Sequence, residues 1–493
     1  MMPTTDLLDD LRPFSPGEIR TMLRPGAVVT DAAWPKTHVR KIHVIRIGGA
    51  GMSAVARLAL EAGFDVTGSE SQEGRFLPPL RDLGARITVG FDAANIEDGT
   101  DLVIVSTAVR ADNPEVRRAH ELDIPVIHRA AGLAGLLKNR ALVAVAGTHG
   151  KTTTSAMATL ALRAAGAEPA WAVGAAVAQL GANAGQGSGE FAVVEADESD
   201  GSFVAFAPSV LVLTNFEADH LDFHGTEENL RAVLSAFVAR LAETNGTLVA
   251  CADDPGSLAF ARDARAAGHR VVLYGEHPEA TWRIAADRSS AAGAHVDIDA
   301  PDGERLNLSL RVPGRHNVLN ALGVLAALDI LGISREGVLT GLAEFAGADR
   351  RFQVAGEVRG TAVIDDYAHH PREVAAALAA GRERAEEGKL VAVFQPHLFS
   401  RTKAFTREFA EALSSADETI LLPIYPARED FDPSIRSEDV ATLIDGSRVL
   451  DAADLPDYLA SHARDARVIL MMGAGDIVDV SPRVLEALEA SGA

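Results

Sequence analysis

Apolar and polar positions along this chain follow a repeating two-part pattern. Short apolar runs rich in Val, Ile and Leu end at glycine-bearing turns. Each is followed by a longer stretch in which apolar residues recur three and four apart, the spacing of one helix face. Between residues 42 and 128 the pattern reads HVIRIGGAGMSAVARLALEAG, DVTGSE, DLVIVSTAV and IPVIHR, which predicts a doubly wound α/β unit. A second unit opens at ALVAV (141–145) and runs to about Ala346. A third runs from AVIDDYAHHP to the end, with strand-like KLVAVFQP, ETILLPIY and RVILMMGAGD separated by helical stretches such as RTKAFTREFAEALSSA. Residues 1–37 hold five prolines, little periodicity and no dense apolar face, and are expected to form a poorly ordered extension. The expected division is therefore 1–37, 38–137, 138–347 and 348–493, with a hinge at 347–349.

Composition narrows the partners. A chain of 493 residues is too long for one core, and 47% hydrophobic residues with 43 Gly suit an α/β protein. No apolar run reaches the roughly 18 residues that span a bilayer, and the N-terminus lacks the layout of a signal peptide. The single cysteine, Cys251, excludes an internal disulfide or a Cys-rich metal cluster, so a cytoplasmic protein is expected. A net charge of −23 opposes nucleic-acid and anionic-membrane partners. An anionic substrate then needs local donors: backbone N–H nests, Arg clusters or metal ions.

Candidate chemistry sits where strands end. In AVAGTHGKTTT (144–154) a strand enters a glycine turn and a helix leaves it. The common phosphate loop G-x-x-x-x-G-K-[ST] would need Gly where Val145 stands, so this loop is shorter: Gly147, Thr148, His149, Gly150, Lys151, Thr152, Thr153. It still places N–H groups and a helix N-terminus around an anion, with Lys151 for the β/γ-phosphates and Thr152 for Mg²⁺. An ordinary turn with one exposed Lys is the alternative, and the flanking strand and helix speak against it. VVEADESDGSF (193–203) carries four carboxylates in six residues, and VLVLTNFEADHLDFHG (210–225) ends in Asp219-His220. Two such strand ends beside a phosphate loop suit a hard cation better than a merely solvated acidic loop.

Other motifs leave alternatives open. Asn317 and Asn320 share the face of a helix start, fit either for capping or for reading a base edge. DDYAHHP (365–371) and FQPHLFSRTK (394–403) bring acids, three His and an Arg to strand ends; surface turns, a metal site or an amino-acid zwitterion site would each use them, and the Arg and carboxylates fit the zwitterion best. RIGGAGMS (46–53) lacks the first Gly of a dinucleotide fingerprint, because residue 46 is Arg.

Taken in order, GTHGKTTT, EADESDGSF, TNFEADHLD, PGRHN with Asn320, DDYAHHP, FQPHLFSR and GAGD resemble the Mur ligases over about residues 38–477. IGGAGMS and STAVRADNPE (106–115) fit best the branch that adds L-alanine to a UDP-sugar. The resemblance implies α/β architecture in three domains: a Rossmann-like UDP-sugar-binding domain, a P-loop-type ATPase domain with a mainly parallel sheet, and a Rossmann-like C-terminal domain that closes over the substrates. It implies ATP and Mg²⁺ (or Mn²⁺) as cofactors, UDP-N-acetylmuramate and L-alanine as substrates, no nucleic-acid or membrane partner, and a monomer or weak homodimer. Lys151, His220, His369 and Arg401 would then be catalytic, with metal at Thr152, Glu195 and His220. His316, Asn317, Asn320, Arg351 and Asp366 would hold the nucleotide together with the phosphate loop. Gly48, Gly49, Ala50, Gly51, Met52, Ser53, Ser106, Thr107, Glu198, Tyr367 and His397 would meet the substrates. Three positions depart from the family pattern: Arg46 where Gly is usual, Glu70 where Asp follows Gly-Ser, and Phe91 where His is common.

The implied chemistry answers why a phosphate is needed. Hydroxide is a poor leaving group, so the carboxylate is first converted to an acyl phosphate by the γ-phosphoryl of ATP. The alanine amine then attacks and expels phosphate, a reaction catalysed by positioning and charge stabilisation. The rivals are ligation of a tripeptide to the same sugar, of glutamate to folate, or a non-catalytic nucleotide-bound regulator. IGGAGMS argues against the first two, and the complete loop and acidic motifs against the third.

Overall fold

The apolar runs form strands that are buried on both faces: Leu102–Val105 and Val210–Leu213 are covered at every position. Such strands need helices on both sides and pair in parallel. The computed structural model describes residues 34–36, 38–290, 293–347, 350–427, 429–463 and 465–491. Most of the expected N-terminal extension and two of the three hinge positions lie outside them. The chain divides into two compact units, one through Ala346 and one from Gly347.

The first unit holds two sheets. Five parallel strands run in the order Arg86–Val89, Asp65–Glu70, Lys41–Ile45, Leu102–Val105, Val126–His128. The order reverses between the third and fourth, so ligand-binding loops are expected at the strand ends there. Ten strands form the second sheet: Arg305–Leu310, Ala294–Asp299, Trp282–Asp287, Arg270–Gly275, Thr247–Cys251, Val210–Leu213, Ala141–Ala146, Phe191–Glu195, Ala170–Val177 and Ala182–Gly185. Its centre is parallel. The first three of that order are antiparallel to one another, and each buries alternate residues, leaving one face to solvent. The two sheets are tied where Asn183 Nδ2 donates to the Ala50 carbonyl (2.9 Å) at the start of the Ala50–Glu61 helix.

Ala141–Ala146 lies between Phe191–Glu195 and Val210–Leu213, with Val145 opposite Glu195 and Ala146 opposite Leu213. The phosphate loop, the acidic run and TNFEADH thus leave the sheet at one level, on one edge.

The second unit has six strands in the order Gln353–Val358, Thr361–Asp366, Ala466–Met472, Lys389–Phe394, Glu418–Leu421, Arg448–Val449; only the first pair is antiparallel. Alternate strand residues enter different cores: Ile364, Leu390 and Met472 on one face, Val363, Val391 and Met471 on the other. The three α/β sheets match the sequence pattern, which had not shown the antiparallel extension. Among the described residues, no helix is long and apolar enough to cross a membrane.

Candidate functional site

The phosphate loop is built from its glycines outward. Gly147 (φ 133°) and Gly150 (φ 81°) sit in backbone that L side chains rarely adopt. A Cβ on Gly147 would collide with the Thr214 hydroxyl, and one on Gly150 would press on buried Asn320. The loop is clamped from the next strand end. Asn215 Oδ1 accepts from His149 N (2.8 Å), Thr214 Oγ1 and Asn215 Nδ2 donate to the His149 carbonyl (2.6 and 2.9 Å), and Thr148 Oγ1 accepts from Glu217 N (2.9 Å). The Lys151–Ala164 helix starts here with no side-chain cap, so its positive end faces the loop's concavity. Thr153 lies on its first turn, half-buried.

Lys151 Nζ donates to the carbonyls of Gly147 (2.6 Å) and Thr148 (3.0 Å) and to Glu198 Oε1 (2.9 Å), and is only 12% exposed. Burial would lower its ammonium, but Glu198, Asp197 and Glu195 outweigh burial and raise it. For Asp197 burial pushes upward, yet Lys151, His220 and Arg129 overcome it and bring the carboxyl down to about 2. In Glu198 burial prevails, and its carboxyl is raised. Thr152 Oγ1 donates to Glu195 Oε1 (3.1 Å), whose other oxygen accepts from Gly174 N (2.7 Å). His220 takes left-handed backbone (φ 53°) and faces Glu198 Oε1 at 3.9 Å and Asp219 Oδ2 at 3.7 Å. The structure therefore joins Thr152 to Glu195 and groups His220 with Glu198 and Asp219. Among the described residues, no three His, Cys, Asp or Glu side chains converge as a metal cage. Mg²⁺ does not demand one, since it takes one or two carboxylates, waters and substrate phosphate.

In the PGRHN helix (Arg315–Ile330), Asn317 Nδ2 donates to the Pro313 carbonyl (2.6 Å), Asn320 abuts Gly150, and His316 is exposed beside Gly314. Neither Asn caps the helix: its N-cap is Gly314, which has no side-chain cap bond.

The glycine turn of the first sheet lies on the same unit. Gly48 N donates to Glu70 Oε2 (2.9 Å), and Ser53 Oγ to the Ala50 carbonyl (2.9 Å); Gly49 is the N-cap, and Met52 is buried. The Arg129 side chain lies over Gly51, and a Cβ there would have to displace it. Arg129 Nη2 is 3.7 Å and His128 Nε2 3.6 Å from Asp200 Oδ2, to which Thr107 Oγ1 also donates (3.4 Å); Ser106, next to it, is half-buried at the end of its strand. Burial takes His128 down to about 4, with Asp200 opposing. Sequence reasoning missed Arg129, Asp200, Asp197 and Asn215 as site residues. Asp197 and Asp200 were visible within the acidic run, but Arg129 becomes a site residue only when its strand end meets Asp200.

A second cluster forms in the unit from Gly347. Arg351 lies over the Tyr367 ring (5.0 Å), Tyr367 meets His369 edge-on (5.1 Å), His369 meets His397 (5.8 Å), and His397 stacks on Tyr425 (5.8 Å). Arg401 is buried on the short helix that follows His397. Asp366 accepts from Phe352 N (2.8 Å) and Ala368 N (2.7 Å), and burial raises it to about 6 despite Arg351.

Asp365, beside it, accepts from Ser481 Oγ (2.5 Å) and is also raised to about 6, by burial first and Asp479 second, against Ser481 and Arg350. A carboxyl whose folded value exceeds its unfolded one favours the folded state while protonated. Its contribution is complete below about 4 and is lost as pH rises through about 6, by up to about 3 kcal/mol. Asp365→Asn is therefore expected to gain melting temperature over wild type on going from pH 4.5 to pH 8. A pH-independent difference in thermal unfolding would contradict this.

The chain matches family models along most of its length. Residues 41–141 match the model described as "Mur ligase family, catalytic domain", 145–328 the "Mur ligase middle domain", and 350–475 the "Mur ligase, glutamate ligase domain". The UDP-N-acetylmuramate–L-alanine ligase of Kineococcus radiotolerans is 48% identical over 94% of this chain and 98% of its own. That of Renibacterium salmoninarum is 45% identical over 91% and 96%. The crystal structure of UDP-N-acetylmuramate–alanine ligase from Thermotoga maritima superposes with a TM-score of 0.75 at 33% identity, covering 92% of this chain and all of that one. A murein peptide ligase from Psychrobacter arcticus gives 0.70 at 25% identity over 91% of this chain and 99% of its own.

Proposed function

The chain belongs to the Mur ligase family, and we infer that it joins L-alanine to the carboxylate of UDP-N-acetylmuramate in an ATP-dependent step of peptidoglycan synthesis. The observation that carries the mechanism is Lys151, held at the phosphate loop between two loop carbonyls and Glu198, with the Thr152–Glu195 pair beside it. We read the domains as 38–137 for the UDP-sugar, 138–347 for ATP and 348–493 for the amino acid. The net charge of −23 and the small-molecule substrates support an enzyme acting in the cytoplasm with no nucleic-acid or membrane partner.

In this reading the loop N–H groups, the helix N-terminus and Lys151 hold the ATP phosphates. Lys151 exchanges its loop carbonyls for phosphate oxygens and stabilises charge on the transferring phosphoryl. Thr152 and Glu195 offer a hydroxyl and a carboxylate oxygen side by side, the hard donors Mg²⁺ accepts, and His220 stands near Glu198 for a second ion. When bound, the metal supplies positive charge against the phosphates. The sugar carboxylate attacks the γ-phosphorus and ADP leaves, giving an acyl phosphate. The neutral alanine amine attacks its carbonyl carbon, and inorganic phosphate departs. Arg129 (at Gly51 and Asp200) and the Gly48–Ser53 turn are assigned to the anionic UDP-sugar. His316, Asn317 and Asn320 go to the adenine side. Tyr367, His369, His397 and Arg401 are assigned to alanine, and Arg351 and Asp366 to the nucleotide.

Phosphate release is measured with ATP and UDP-N-acetylmuramate plus alanine, tripeptide or glutamate in turn. Release with alanine alone is expected. Faster release with the tripeptide would replace alanine as substrate, and none with any acceptor would overturn the ligase reading.

A further inference from the structure

The turn between His397 and Arg401 is held in a conformation its own residues do not favour. Leu398 takes φ 72° and ψ 134°. Glycine enters that region freely, whereas an L side chain there is strained and persists only where its surroundings over-determine it. The helix that follows, Phe399–Ala404, has six residues and no side-chain cap at Leu398. A helix so short does not hold itself in place, yet it carries the buried Arg401.

The support comes from further along the chain. Leu398 N donates to the Tyr425 carbonyl (2.9 Å) and Tyr425 N to the Pro396 carbonyl (2.8 Å), so the two segments run side by side. Beyond Tyr425 the contacts pass to side chains. One Glu429 oxygen accepts from Ser400 N (3.0 Å), and the other accepts from Ser400 Oγ. The first bond satisfies an N–H of the opening helical turn, which has no partner within the helix. Lys403 Nζ donates to Ser434 Oγ (2.8 Å), and Phe399 meets Phe431 edge-on at 5.6 Å. Of these side-chain contacts, that of Glu429 alone reaches the helix backbone.

We propose that Glu429 is a positioning residue for the amino-acid site. Its carboxylate grips Ser400 at backbone and hydroxyl, and so fixes the helix on which Arg401 stands and the strained turn after His397. This rests on the ligase reading above, in which His397 and Arg401 meet alanine. Glu429 itself touches no substrate in that reading. It acts through the orientation of Arg401, whose planar fork of donors matches a carboxylate in a fixed direction.

The test measures steady-state phosphate release and thermal unfolding of the full chain. Glu429→Ala is expected to raise KM for L-alanine about tenfold, the order of one hydrogen bond to a charged group, and to leave KM for ATP and for UDP-N-acetylmuramate in place. Glu429→Gln should recover most of that loss, because its amide oxygen can accept from Ser400 N and its amide N–H can donate to the Ser400 hydroxyl. Ser400→Ala removes only the hydroxyl half and should raise KM for L-alanine about threefold. Added to Glu429→Ala it should cost nothing further, since the two changes break one interaction. A merely structural role would lower the melting temperature of Glu429→Ala and leave KM for L-alanine at its wild-type value, and that result would refute the proposal. An equal rise in all three KM values would refute it as well. A wild type that releases no phosphate with alanine overturns the ligase reading, and the positioning role falls with it.

Discussion

Lys151→Ala is expected to cut ATP-dependent phosphate release about a thousandfold, the loss that follows removal of one preorganised charge-stabilising donor. The fold should survive, but not unchanged. Lys151 is buried and paired with Glu198 at 2.8 Å. Its removal takes one of the countercharges from Glu198 and Asp197, which costs stability. A lowered melting temperature would therefore be ambiguous by itself. The double variant Lys151→Ala/Glu198→Gln separates the two effects: it should recover part of the melting temperature and none of the turnover. Recovered turnover in the double variant would show that Lys151 only neutralises Glu198.

The second large effect concerns Glu195. Its two oxygens accept from Thr152 and Gly174, so Glu195→Gln keeps the shape and loses the charge. It is expected to lower kcat about a hundredfold and to raise the Mg²⁺ concentration for half-maximal activity about tenfold, because a neutral amide is a weaker oxygen ligand for a hard cation. His220→Ala should weaken Mg²⁺ dependence less, since His220 lies on the Glu198 side of Lys151. A wild-type Mg²⁺ profile in Glu195→Gln would remove Glu195 from the metal site.

What the sequence revealed was local. Strand, glycine turn and helix follow one another without interruption in AVAGTHGKTTT, so neighbouring residues determine the loop, and Lys151 and Thr152 lie where the pattern puts them. Glu195 was equally legible, because a parallel strand delivers its last residue to the same edge. Contacts between strand ends were not. Arg129 meets Asp200 and Gly51 only after three segments fold together. The Arg46 guanidinium lies over the ring of Phe91, which follows a strand that is not the neighbour of Arg46's own strand in the sheet. The burial of Lys151 was not legible, because charge patterns on one strand do not say which acids a loop will face. The antiparallel strands between Trp282 and Leu310 alternate as one-sided strands should, but the run was absorbed into a unit read as parallel.

The central claim is that the sugar carboxylate becomes an acyl phosphate before alanine attacks. It is tested most directly with UDP-N-acetylmuramate carrying ¹⁸O in its carboxylate, incubated with ATP and L-alanine, followed by mass analysis of the phosphate released. One carboxylate oxygen bridges to phosphorus in the intermediate and leaves with it. The account predicts one ¹⁸O in each inorganic phosphate formed, in step with amide product. Amide formed with unlabelled phosphate would contradict it.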